Sequence, residues 1–164
     1  MRQERDSLGI RDLPDEAYYG IQTLRAMENF PVTGRREPPA LVRAYALVKQ
    51  AAALANTELG VLDRARGEAI AGAAAEVAAG GLADQFPVDI FQAGAGTSFN
   101  MNANEVIANR ALELLGRRRG EYEFLSPNDH VNLSQSSNDP FPTASHLAII
   151  GEADDLVQRL RDLT

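Results

Sequence analysis

The sequence predicts a mainly helical chain, and three observations carry that prediction. Apolar residues recur at three- and four-residue steps over two long stretches, Leu41 to Ala55 and Leu147 to Leu163, the spacing that lines one face of a helix. Between them the segment from Arg64 to Ala79 is rich in alanine, the best helix former, and stops at Gly80-Gly81. The stretch "FQAGAGTSFNMNANEV", where glycines bracket an alanine, is not framed by a strand–helix–strand unit and lacks the spacing and lysine of a phosphate loop.

Residues 1–37 read as irregular, because Pro14, Gly20, Pro31 and Gly34 punctuate short segments such as "AYYGIQTLRAMENF". A long helix follows Pro38-Pro39, with Leu41, Tyr45, Val48, Ala52 and Ala55 as its apolar stripe and an end near Gly60. The alanine-rich helix from Arg64 to Ala79 comes next, and alanine on that scale implies close helix–helix contact. A further helix is expected from about Asn104 to Leu115, closed by Gly116. The loop "GEYEFLSPNDHVNLSQSSNDPFPT" then leads to a last helix from about Thr143. Its stripe of Leu147, Ile150, Ala153, Leu156, Leu160 and Leu163 runs to Thr164 without a capping glycine or proline, the pattern expected of a truncated amphipathic helix under-buried in a monomer.

Composition narrows the function classes. With 45% hydrophobic and 24% charged residues in 164, the chain is long enough and apolar enough for an ordinary globular core. A net charge of -7 argues against a nucleic-acid partner, and the one basic run, Arg117-Arg118-Arg119 between two glycines, reads as a solvated turn. Without cysteine there is neither a disulfide framework nor a thiolate metal site, and no other metal-ligand spacing is visible. The N-terminus lacks the apolar core of a signal peptide, and no apolar run approaches the roughly 20 residues of a membrane span. The chain reads as a soluble, cytoplasmic protein with no membrane partner.

Two polar clusters stand out against the helices. Gly94-Ala95-Gly96-Thr97-Ser98, with Asn100, Asn102 and Asn104 after it, and Gln135-Ser136-Ser137-Asn138-Asp139 each lead into a helix. Such residues are also ordinary helix caps. Together, however, they offer hydroxyl, amide and backbone donors where a helix dipole adds positive potential. Neutral preorganised donors suit a carboxylate that gains further negative charge during a reaction.

These residues carry a resemblance. "GAGTSFNMNANEVIANRALELLG" and "PNDHVNLSQSSNDPFPTASHLA" resemble the first conserved region of the aspartase and class II fumarase superfamily, and "AYYGIQTLRAMENFPVTG" resembles the start of the same proteins. "DQFPVDIFQAGAGTS" and "GEYEFLSPNDHVN" are similar to aspartate ammonia-lyases, where fumarases tend toward "TGSGTQ" and a histidine before Pro-Asn-Asp that contributes to an accessory dianion site. Ser126 stands at that position here; against this, Ser137 is the fumarase form where many aspartases have threonine.

The resemblance implies an N-terminal helical domain of the aspartase/fumarase fold, residues 1–140, followed by the start of the first long helix of the central helical bundle, residues 141–164. It implies reversible elimination of ammonia from L-aspartate to give fumarate through an enediolate (aci-carboxylate) intermediate, with no organic cofactor, no metal site in this chain and a small dicarboxylate as substrate. The alternatives are a class II fumarate hydratase acting on fumarate and L-malate, or a catalytically silent folded module. Carried over by position, Thr97, Ser136 and Ser137 would hold the carboxylate, Ser98 would assist, and Asn138 would sit near the departing amino group. The family's base serine, with its GSSxMPxKxNP loop, and its threonine–histidine pair match nothing in these residues, so the chain alone is expected to be inactive. His130 and His146 read as structural. In this family the site forms where three subunits of a homotetramer meet, which is the assembly expected of the full-length protein.

Overall fold

The computed structural model describes residues 1–163; Thr164, the last position of the expected bundle segment, lies outside the described residues. Among the described residues, five α-helices carry the architecture: α1 (Ile21–Asn29), α2 (Pro39–Glu58), α3 (Arg64–Ala78), α4 (Thr97–Leu114) and α5 (Pro140–Asp162). An antiparallel hairpin of β1 (Arg2–Asp6) and β2 (Gly9–Leu13) precedes them, in a register that pairs Arg2 with Leu13 and Asp6 with Gly9.

The first 37 residues are therefore not irregular, and the reason they read so is physical. The hairpin has almost no apolar alternation; Leu13 and Glu4 are its buried side chains, and polar bonds replace the missing core. Arg25 closes on Asp6 through Nε at 2.6 Å and Nη2 at 2.7 Å, a fork-on-carboxylate pair. Helix α1 likewise has no local side-chain cap. Its N-terminal N–H groups are instead satisfied by distant carboxylates, Ile21 donating to Glu4 at 2.8 Å, and Gly20, Gln22 and Thr23 donating to Glu105 of α4 at 2.9, 2.8 and 3.1 Å. Burial pushes the Glu105 carboxyl up to about 7, against the pull of these donors.

Helices α2 and α3 pack against each other through small side chains: Ala44, Ala46 and Ala53 of α2, and Ala69, Ala71, Ala73 and Ala74 of α3, are all buried. The buried stripe of α2 runs Leu41, Tyr45, Lys49, Ala53 and Asn56, so two polar residues sit where Val48, Ala52 and Ala55 were expected to lead. At its C-terminus, α3 ends as anticipated, with the Gly81 N–H donating to the Glu76 carbonyl at 2.9 Å and the Gly80 N–H to the Val77 carbonyl at 2.9 Å.

Helix α4 begins at Thr97, seven residues before the expected Asn104, and packs against α3, α1 and a single π-helical turn at Pro127–Val131. Helix α5 begins at Pro140 rather than Thr143, since prolines in a first turn forfeit no intrahelical bond. It packs on α2 and buries Pro140 and Ala144, but beyond them its apolar residues face outward: Ile150 is 67% exposed, Leu156 58% and Leu160 54%. The under-buried stripe expected of this helix is present. The Arg117–Arg119 run is an exposed turn knitted to its neighbours, Arg117 lying over the Phe124 ring and Arg119 bonding Glu113 at 2.7 Å. No helix among the described residues is long and apolar enough to cross a membrane.

Candidate functional site

The two polar clusters meet. Thr97 is the first residue of α4, and its Oγ1 lies 3.4 Å from the Ser137 Oγ, forty positions further along the chain. Gly96 makes this possible. It caps α4 with φ +80°, and a Cβ built on it would lie 2.0 Å from Cδ2 of Phe141 in the first turn of α5, so only glycine lets that ring close over the loop. Phe141 is held in turn by Phe99, edge-to-face at 6.3 Å, and Phe99 by Tyr45 at 5.1 Å. The N-termini of α4 and α5 are thereby fixed side by side.

Within the second cluster, Asn138 donates its N–H to the Ser136 Oγ at 3.3 Å, and Asp139 donates its N–H to the Ser136 carbonyl at 2.9 Å. Thr97, Ser136 and Asn138 are exposed and Ser137 is half-buried, so these four are open to a ligand, whereas Ser98 is buried. The Phe99 N–H donates to Gln92 Oε1 at 2.6 Å, a side chain capping the helix from five residues before its start.

The asparagines that follow Thr97 and Ser98 on α4 are structural joints. Asn100 Oδ1 accepts from the Tyr45 hydroxyl at 2.8 Å and from Lys49 Nζ at 2.9 Å. Asn102 donates to the Gln85 carbonyl at 2.9 Å, and Asn104 to Asn132 Oδ1 at 3.2 Å. All three are buried on α4, pointing into the fold rather than at a ligand.

Sequence reasoning missed Lys49. Its ammonium is buried and donates to Asn100 Oδ1 at 2.9 Å, Asn132 Oδ1 at 2.9 Å and Gln135 Oε1 at 3.0 Å. Burial pushes that ammonium down to about 7. The available signal was a lysine within the mostly apolar face of α2.

His130 accepts the Ser126 N–H on Nδ1 at 2.8 Å, and burial, with the nearby Arg66 charge, holds it below the usual histidine range. That neutral, acceptor-bound ring pins the π-helical turn. His146 is exposed on α5. No group of three or more histidine or carboxylate side chains suited to a metal occurs among the described residues.

Comparison with known proteins places the chain in a family. The profile of a family described as lyase matches residues 9–164. An aspartate ammonia-lyase from a Bacillus species is 56% identical over 158 residues, covering 96% of this chain and 34% of its own length. A class II fumarate hydratase from Halobacterium salinarum is 58% identical over 147 residues, covering 90% of this chain and 31% of its own. Among solved structures, the fumarate lyase:delta crystallin from Brucella melitensis superposes with a TM-score of 0.92 at 56% identity, covering 94% of this chain and 35% of that one. The family match spans nearly the whole chain, and the chain belongs to the lyase family. Within it, the chain falls in the aspartase and class II fumarase superfamily, and spans about a third of the length of the relatives it matches.

Proposed function

We propose that this chain is the N-terminal part of an aspartate ammonia-lyase, in which it supplies the donors that hold one substrate carboxylate. The apposition of Thr97 Oγ1 and Ser137 Oγ at 3.4 Å carries the reading, because it gathers two sequence-distant hydroxyl loops into one exposed patch at a helix N-terminus. The chemistry asks for such a patch. Removing the C3 proton of L-aspartate leaves an enediolate whose extra charge sits on the neighbouring carboxylate. Preorganised donors aimed at that oxygen are worth about 2.7–4 kcal/mol each. In this reading Thr97, Ser136 and Ser137 hold the carboxylate, Ser98 assists, and Asn138 lies toward the amino group that leaves. The base is a serine outside this chain, the assembly is a homotetramer, and no organic cofactor takes part.

A hydratase reading has its own support, the class II fumarate hydratase at 58% identity and the hydroxymethyl of Ser137. Ser126 in place of a histidine, with "DQFPVDIFQAGAGTS", favours the ammonia-lyase. The test is to incubate the complete polypeptide separately with L-aspartate and L-malate and follow fumarate by ultraviolet absorbance. Fumarate from aspartate with equimolar ammonia is expected. Fumarate from malate alone would establish the hydratase, and turnover by residues 1–164 alone would show that the base lies within them.

A further inference from the structure

Resting on the dicarboxylate reading above, we propose that Lys49 is a positioning residue of the site: its ammonium fixes the Thr97 turn and the Ser136–Asn138 loop in one register, and lends the carboxylate the positive charge that hydroxyls and amides lack.

Lys49 is the only lysine among 164 residues, against fifteen arginines. Arginine presents a planar fork, whereas an ammonium presents three donors around a point. Three carboxamide oxygens meet those donors, Asn100 from α4 and Asn132 and Gln135 from the segment leading to α5, each within 3.0 Å. A neutral amine has only two N–H bonds, so the full set of three belongs to the charged form. One side chain of α2 thereby ties together the two segments on which the proposed donors ride. Asn100 lies one helical turn beyond Thr97, a separation of about 5–6 Å. Gln135 is the residue before Ser136.

The charge is also unspent. The other strongly buried cations pair with carboxylates, Arg2 with Glu4 and Arg25 with Asp6, each below 3 Å. Lys49 has no carboxylate in ion-pair range among the described residues, and its side chain is fully buried against Asn100, Asn132 and Gln135. Burying a charge without a counter-ion is costly, and an anion arriving nearby offsets that cost. A buried cation surrounded by neutral oxygens projects its field toward an anion arriving at the adjacent helix N-termini.

Asn100→Asp separates the two roles. The Asp oxygen replaces the Asn oxygen, no amide bond of Asn100 is lost, and the joint to Lys49 becomes an ion pair while its outward charge is cancelled. Lys49→Met removes charge and joint together. The complete polypeptide and both variants are assayed for inhibition by succinate, a non-reacting dicarboxylate, for turnover of L-aspartate, and for melting temperature. Asn100→Asp is expected to melt at or above the wild-type temperature yet bind succinate at least about tenfold more weakly, as cancelling one nearby charge requires. Lys49→Met is expected to lose succinate affinity to the same extent or more. An Asn100→Asp protein that folds and binds succinate like the wild type overturns the charge assignment, and a folded Lys49→Met protein that does the same overturns the joint as well. A wild type that neither turns over L-aspartate nor binds succinate overturns the functional reading itself; a competent wild type matched by its variants overturns only the role of Lys49.

Discussion

Replacing Gly96 with alanine tests the packing that brings the two loops together. Two costs add at this position. The backbone sits at φ +80°, where a Cβ costs about 1–2 kcal/mol. The new methyl would also meet the Phe141 ring at 2.0 Å. That ring cannot swing freely, because Tyr45 and Phe99 flank it at centroid distances of 6.2 and 6.3 Å. Overpacking of this kind costs about 1–3 kcal/mol, for a sum of about 2–5 kcal/mol. Gly60 is the internal control, with φ +71° and nothing within 4 Å of a built Cβ, so alanine there bears only the backbone cost. Equilibrium urea denaturation of the two variants, read by far-ultraviolet circular dichroism, isolates the contact as their difference, about 1–3 kcal/mol. If Gly96→Ala destabilises no more than Gly60→Ala, Phe141 does not close over the loop, and the apposition of Thr97 with Ser137 loses its support.

Acid should release the loop at residues 31–35. Desolvation raises the Asp89 carboxyl, but N–H donors from Phe91, Thr33 and Gly34 and the Thr33 hydroxyl outweigh it and hold the group at about 2. A carboxyl lowered on folding contributes stability above its unfolded value near 3.8 and loses it as pH falls toward 2. The melting temperature should therefore fall over that window in the wild type and fall less in Asp89→Asn; parallel curves would contradict this. Residues 1–164 should self-associate through α5, whose Ile149 and Ile150 are each 67% exposed. Light scattering is expected to give a mass above the monomer, reduced by Ile150→Glu with Leu156→Glu; a strict monomer at high concentration that binds no hydrophobic dye would refute it.

Elements with a self-contained pattern were legible in the sequence. Helix α3 shows its alanines and its Gly80-Gly81 stop, and α5 shows its stripe, because both signals are local. Helix α1 and the hairpin were not legible, since what holds them is Glu105 eighty residues away and the pairing of Asp6 with Arg25. The start of α4 was hidden for a related reason. Asparagine, serine and threonine favour caps and turns in isolation, and only their tertiary partners, Lys49, Gln85 and Asn132, repay placing them inside a buried helix. The hydroxyls at Thr97, Ser136 and Ser137 could be named from the motif, but Lys49, bonded to Asn100, Asn132 and Gln135, belongs to a helix that carried no motif at all.

The central claim is that the hydroxyls of Thr97 and Ser136 act on charge that develops during the reaction rather than capping helices. Steady-state turnover, Michaelis constant and melting temperature of Thr97→Val and Ser136→Ala in the complete polypeptide, with L-aspartate as substrate, measure it directly. Because the substrate carboxylate is already an anion, part of each bond is uniform binding, and only the part that strengthens in the enediolate lowers the barrier. Turnover should fall by about 10²–10³-fold, with a smaller change in the Michaelis constant and little change in melting temperature. Unchanged turnover with a lowered melting temperature, the mark of a lost cap worth about 1 kcal/mol, would contradict the account.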